Sequence, residues 1–274
     1  MKRFVLVFLL VCASALGFSQ ERPVQVAFEA ESGALKILHH TYKVGSTGST
    51  FNFVTQGGQE ILFPFERLTA SATVFDRHQI RFLYQSLELN TRITAREDFK
   101  IDTVTFSKDD VVDITYGFPF YRFTYLYDLL PGDAELSLGA ALQFRNASIS
   151  FTSADGSKRA ISQNLGLVPA LAISGRIPFG SLFFAGFDAT GIYASSALFN
   201  GADFEFEGSI LDASVRVGMV IQKGLESYVN LRFIGGSAAG VSQYPNEFWT
   251  QSVGKETANY LATMALTIGG TVKF

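Results

Sequence analysis

From Tyr260 to Phe274 the chain alternates without a break. Tyr260, Ala262, Met264, Leu266, Ile268, Gly270, Val272 and Phe274 take the even positions, and Thr263, Thr267, Thr271 and Lys273 stand among the odd ones. A period of two held over fifteen residues specifies a β-strand with one apolar and one polar face. The same alternation recurs along most of the chain, so the expected fold class is all-β.

Gly33 to Tyr42 is the first and weakest strand, with Leu35 and Ile37 opposite Lys36; it begins as early as Phe28 on a generous reading. Gly45 to Gly58 reads as a loop carrying a short strand at Thr50 to Val54. The second strand sets Leu68, Ala70, Ala72 and Val74 against Arg67, Thr69, Ser71 and Thr73, and Asp76 to His78 turn the chain. In the third, Ile80, Phe82 and Tyr84 face away from Arg81 and Gln85; the apolar row then passes to Leu87 and Leu89, a phase change expected of a bulge. Thr94 to Asp110 is charged and reads as an exposed loop with a small hairpin. Tyr121, Phe123, Tyr125 and Tyr127 oppose Arg122, Thr124 and Asp128 in the fourth strand, before a Pro131-Gly132-Asp133 turn.

Leu136, Leu138, Ala140, Leu142 and Phe144 oppose Glu135, Ser137, Gln143 and Arg145 in the fifth strand, and Asp155-Gly156 signals a hairpin. The sixth places Leu165 to Ile177 against Asn164, Ser174 and Arg176, with Pro169 on the apolar row predicting a bulge. Phe183 to Ala189 face away from Gly186, Asp188 and Thr190 in the seventh strand, and Asn200 to Gly208 is an acidic loop with Phe204 and Phe206. Leu211 to Ile221 oppose Asp212, Ser214 and Arg216 in the eighth, which Lys223 and Gly224 close. The ninth pairs Val229, Leu231 and Phe233 with Asn230 and Arg232, and Gly235 to Thr257, with the sole Trp249, reads as the last long loop.

Lys2 and Arg3, the apolar run Phe4 to Val11 and the small residues to Gly17 have the organisation of a secretory signal peptide, with cleavage favoured after Ser19. The expected layout is a signal peptide over 1–19 and a single domain over 20–274. Cys12 is the only cysteine, so the mature domain has no disulfide or thiolate metal site; Val11 before it argues against a lipid anchor. Without Lys2 and Arg3, 20 basic side chains remain against 25 acidic, a formal charge of −5, which gives no footprint for nucleic acid. No mature segment approaches the length of a spanning helix, so a membrane location requires a closed barrel.

Tight turns follow the even strands and longer connections the odd ones, the organisation of transmembrane barrels. The alternative is a secreted lipocalin-like barrel or β-sandwich. Against it, the polar face carries arginine at mid-strand among Gly, Ala, Ser and Thr, while the other face is nearly free of charge and rich in Tyr and Phe near strand ends. The aromatic end of the last strand resembles the carboxyl-terminal signal of bacterial outer-membrane barrels, with Tyr260, Leu266, Ile268, Val272 and Phe274 in the matching positions. The strings Arg77 to Tyr84 and Phe120 to Tyr125 resemble those of small barrels of this group. The strands read along the chain number about ten, with eight or twelve as the neighbouring counts, and the expected fold is an antiparallel up-and-down barrel. By strand count the chain is similar to omptin proteases and ten-stranded adhesins. The resemblance also implies outer-membrane lipid and the insertion machinery as partners, and a monomer; the aromatics of the long loops either meet a surface ligand or, the preferred reading, fold over the barrel mouth.

The candidate site is the set of charges on the polar face: Arg67, Arg81, Arg122, Arg145, Arg176, Arg216 and Arg232 with Glu135, Asp188 and Asp212. An arginine-lined lumen selects anions if open; in a narrow barrel the same residues fill the interior as mutual ion pairs. The second reading is preferred and implies a structural or surface-interaction role, with a narrow anion pore as the alternative. The three histidines, His39, His40 and His78, supply no lipase, deacylase or protease pattern, so an enzyme ranks last. Neither a cofactor nor a metal site is expected.

Overall fold

The computed structural model describes residues 24–45, 47–130, 132–195, 206–242 and 255–274. The signal-peptide segment, Pro131 and the loop aromatics Phe204, Tyr244 and Trp249 lie outside them. The strands are β1 (Val24–Val44), β2 (Phe51–Asn52), β3 (Leu62–Val74), β4 (His78–Ser86), β5 (Glu88–Thr94), β6 (Phe99–Ile101), β7 (Val104–Phe106), β8 (Val111–Gly117), β9 (Phe120–Asp128), β10 (Glu135–Ser153), β11 (Arg159–Phe179), β12 (Phe183–Ser195), β13 (Phe206–Gln222), β14 (Leu225–Ser242) and β15 (Lys255–Lys273).

Ten of them close a ring, in the order β1, β3, β4, β9, β10, β11, β12, β13, β14, β15 and back to β1, every pairing antiparallel. Closure is made by the terminal strand: Ala27 faces Lys273, and the ladder runs to Val44 opposite Thr257. A closed ring leaves no edge along this seam, the condition for a sheet to cross hydrocarbon. Short turns at Phe75–Arg77, Gly180–Leu182 and Lys223–Gly224 gather at the end that also holds Val24 and Phe274. At the far end the chain grows by strand more than by loop. β10 and β11 run for 19 and 21 residues and meet in the tight Ala154–Lys158 turn, and β4 and β9 continue into the β5–β8 hairpin.

The even residues of β15 face outward, with Tyr260, Leu266, Ile268 and Phe274 between 36% and 68% exposed. Val272 alone of the five terminal-signal residues is covered, lying opposite Phe28, whose ring meets Phe274 edge-on at 6.0 Å. Leu138, Leu171, Leu211, Val215, Val217, Val229 and Leu231 continue this exposed apolar band. It ends in two aromatic girdles. At the short-turn end Phe179 stacks on Phe183 at 5.9 Å and Tyr127 meets His78 at 5.1 Å; toward the far end His39 meets Tyr260 at 5.0 Å and Tyr84 meets Tyr121 at 5.1 Å. Amphipathic rings settle at the two membrane interfaces around such a band.

Several sequence expectations require correction. Leu87 and Leu89 mark no bulge: Gln85 faces Phe120 and Glu88 faces Gly117, so one register continues through both hairpin segments. The odd positions point inward throughout, and what changes is the chemistry of the interior, from Arg81 to buried Leu83, Leu87 and Leu89. Pro169 lies opposite Leu142 in an unshifted register, and β12 pairs with β11 only as far as Leu171, so its missing N–H costs no ladder bond there. The bulges fall at Ile37/His39 and Val220/Gln222. Gly235 to Thr257 is not loop throughout, since β14 extends to Ser242 and β15 begins at Lys255. His78 opens β4 instead of lying in the turn before it.

Leu35 and Ile37 also face inward, 0% and 1% exposed. With Phe63, Phe65, Tyr116 and Phe151 they line the far half of the interior. Phe51 and Phe53, from the connection after β1, insert among them, as do Phe99, Ile101 and Phe106 of the β6–β7 hairpin. The Thr94 to Asp110 segment is therefore exposed on one face only. Phe53 lies 5.7 Å from Phe151 and 5.9 Å from Tyr116 between ring centroids, spacings at which aromatic pairs attract.

Candidate functional site

In the half of the barrel nearer the short turns, alternation delivers polar side chains to the interior from nearly every strand. β3 supplies Arg67, β4 Arg81, β9 Arg122, β12 Asp188, β13 Asp212 and Arg216, and β14 Arg232. Asp212 is the centre. Its Oδ2 accepts from Arg67 Nη1 at 2.9 Å and Arg122 Nη1 at 2.8 Å, and its Oδ1 from Arg232 Nη1 at 2.7 Å. These four side chains are 1% to 6% exposed. Further donors of the same arginines find other acceptors. Arg67 also donates to Gln85 at 3.1 Å, Arg122 donates twice to Gln143 at 2.7 and 2.9 Å, and Arg232 Nη2 donates to Glu31 at 2.9 Å. Glu31 in turn accepts from Asn230 and Thr267. Buried charges persist only with such multiple partners.

A second node lies toward the short turns. Asp188 accepts from Arg81 at 2.6 Å and from Arg216, whose other nitrogen donates to Glu29 at 2.7 Å. Glu226 there binds both Arg176, at 3.1 Å, and Lys273, at 2.8 Å. Exposure rises along this path, to 23% at Arg81 and 27% at Lys273. The Arg216 guanidinium lies over the Tyr228 ring at 4.9 Å and Arg176 over Phe184 at 4.4 Å. The Tyr228 ring occupies the space where Gly269, its cross-strand partner, lacks a Cβ.

Two of the ten charges named from sequence stand apart. Arg145 lies over Phe118 at 5.6 Å, its Nε buried without an acceptor, and makes no ion pair among the described residues. Glu135 is exposed at the start of β10; its cross-strand neighbour Arg176 bonds Glu226 instead. Conversely, Glu29, Glu31, Glu226 and Lys273 belong to the network and were missed. Glu29 and Glu31 alternate with Phe28 and Ala30 in the half of β1 ahead of Gly33, the period-two signal that would have found them.

The bulge after Ile37 turns His40 inward and leaves His39 outside. His40 is 0% exposed, stacks on Phe53 at 4.0 Å and bonds Gln59 through Nδ1 at 2.7 Å. Beyond the band, the β10–β11 turn is held by Asp155. Donation from Ser153 and Ser157 lowers its carboxyl to about 2. Lys158 likewise holds Asp110 below its ordinary value through a 2.6 Å contact. Among the described residues no group of three or more His, Cys, Asp or Glu is arranged to hold a metal.

No protein-family model matches the chain. No curated protein matches it in sequence. Among solved structures it is similar to the outer membrane protease OmpT from Escherichia coli, with a TM-score of 0.48 at 11% identity over 95% of this chain and 100% of that one. The outer membrane protein OprG from Pseudomonas aeruginosa aligns with a TM-score of 0.39 at 9% identity over 91% and 95%. Ail, the attachment invasion locus protein of Yersinia pestis, aligns with a TM-score of 0.32 at 7% identity over 88% and 98%. The closed ring, the apolar band and its two girdles make the chain a ten-stranded β-barrel of the outer-membrane type.

Proposed function

We propose that the barrel has a structural and surface-presenting role, without catalysis, and that its interior is filled and does not conduct. The carrying observation is the reach of Asp212. Around the ring of ten, β13 stands four strands from β3 and four from β9, so the contacts with Arg67 and Arg122 span the cross-section. Arg81 and Asp188, also four strands apart, span it at a second level. The aromatic cluster around Phe51 and Phe53 supports the same reading in the far half. What remains for interaction is the far end, where the β10–β11 and β5–β8 hairpins stand above the band and a surface ligand would meet them first.

Single-channel recording of the barrel refolded into a planar bilayer tests the reading. The expected result is no discrete steps from protein whose folding is established by its gel mobility. Steps with anion preference, diminished by Arg122→Ala, would replace it with the narrow-pore reading.

A further inference from the structure

The network does not balance. Around Asp212, Arg67, Arg122 and Arg232 are joined through ion pairs to Asp212 and Glu31, three cations to two anions, whereas Arg81 and Arg216 balance Asp188 and Glu29. Arginine keeps its proton in proteins, and protonating a carboxylate would enlarge the excess, so no proton movement removes it. The excess sits on buried side chains, Arg67, Arg122 and Arg232 being 2% to 6% exposed. There, a small cavity of about 20 Å³ lies among Arg67, Arg81, Arg122 and Arg232, with Asp188, Asp212, Thr124 and Ala172 also in its wall. That is room for one small particle. Arg232 Nε is also buried without an acceptor.

We propose that this cavity is a binding site for a single small monovalent anion of halide size, held as a fixed part of the folded barrel. The four guanidinium groups around it present planar donors, and the anion would supply the negative charge the cluster lacks. The site is resident and not a conduction step, so it survives or fails independently of whether the lumen conducts.

The test uses the whole barrel refolded in lipid, with chloride exchanged against gluconate at constant ionic strength. Above the binding constant, each tenfold rise in chloride should lower the unfolded-to-folded ratio about tenfold. Ala172→Leu, which fills the cavity without touching a charge, should abolish the dependence, and so should Arg122→Gln, which removes the excess. Crystals grown in sodium bromide should show one anomalous peak between Arg67 and Arg122. Equal stability in chloride and gluconate, or a chloride effect undiminished in Ala172→Leu, would overturn the proposal. So would a cavity holding water with no bromide signal.

Discussion

Replacing Asp212 by Asn keeps the shape of the side chain and removes the one carboxylate shared by three arginines. At 2% exposure water does not reach the site to compensate. The three ion pairs do not add, because they share an acceptor and each arginine keeps another partner: Gln85 for Arg67, Gln143 for Arg122 and Glu31 for Arg232. The expected loss is therefore that of one broken buried pair, about 3–5 kcal/mol. It should fall toward the upper end, since the amide of Asn offers donors to guanidinium groups that need acceptors. Arg92→Ala supplies the contrast: its pair with Asp113 is 66% and 44% exposed, and its loss should leave the unfolding midpoint nearly unchanged. Urea titration of barrels folded in phospholipid vesicles, read by circular dichroism and by gel mobility, measures both variants against the wild type. Combining Asp212→Asn with Arg122→Gln should recover part of the loss. An Asp212→Asn barrel within about 1 kcal/mol of wild type would refute the reasoning, because it would mean the arginines are bathed in water.

Gly269→Ala places a methyl group inside the Tyr228 ring and should cost about 1–3 kcal/mol, with most of the loss removed in a Tyr228→Ala background. Phe53→Ala should release about 3–5 kcal/mol of local packing, seen as faster amide exchange over residues 51–59 with β12 to β14 unchanged. Asp155 has a folded value of about 2 against an ordinary 3.8, so its contribution is full above pH 4 and fades as pH falls toward 2. Protection of the Ser157 amide, which donates to Asp155, should follow that window and lose its pH dependence in Asp155→Asn.

Strand phase was legible wherever arginine or aspartate marked one face, as in β9, β12 and β13. It failed where both faces were apolar. Leu35, Ile37, Leu87 and Leu89 alternate as a lipid-facing row would, and only the aromatic segment packed upon them turns that row into interior. Gly235, Gly236, Ala238 and Ala239 hid the far part of β14, because small residues carry no period. The arginine rows were readable and their partners were not. Arg67 and Asp212 lie 145 residues apart, and their meeting depends on ring closure and stagger that no local pattern encodes.

The most direct test of a filled interior uses the absence of cysteine after Cys12. Ser214 faces the interior beside the network and is 5% exposed, whereas Glu135 is exposed at the strand end near the short turns. Single cysteines at each, in the lipid-embedded barrel, are to be timed against a small water-soluble thiol reagent. Rapid labelling of Glu135→Cys with Ser214→Cys protected until the barrel unfolds is the predicted result; equal rates at the two positions would contradict it.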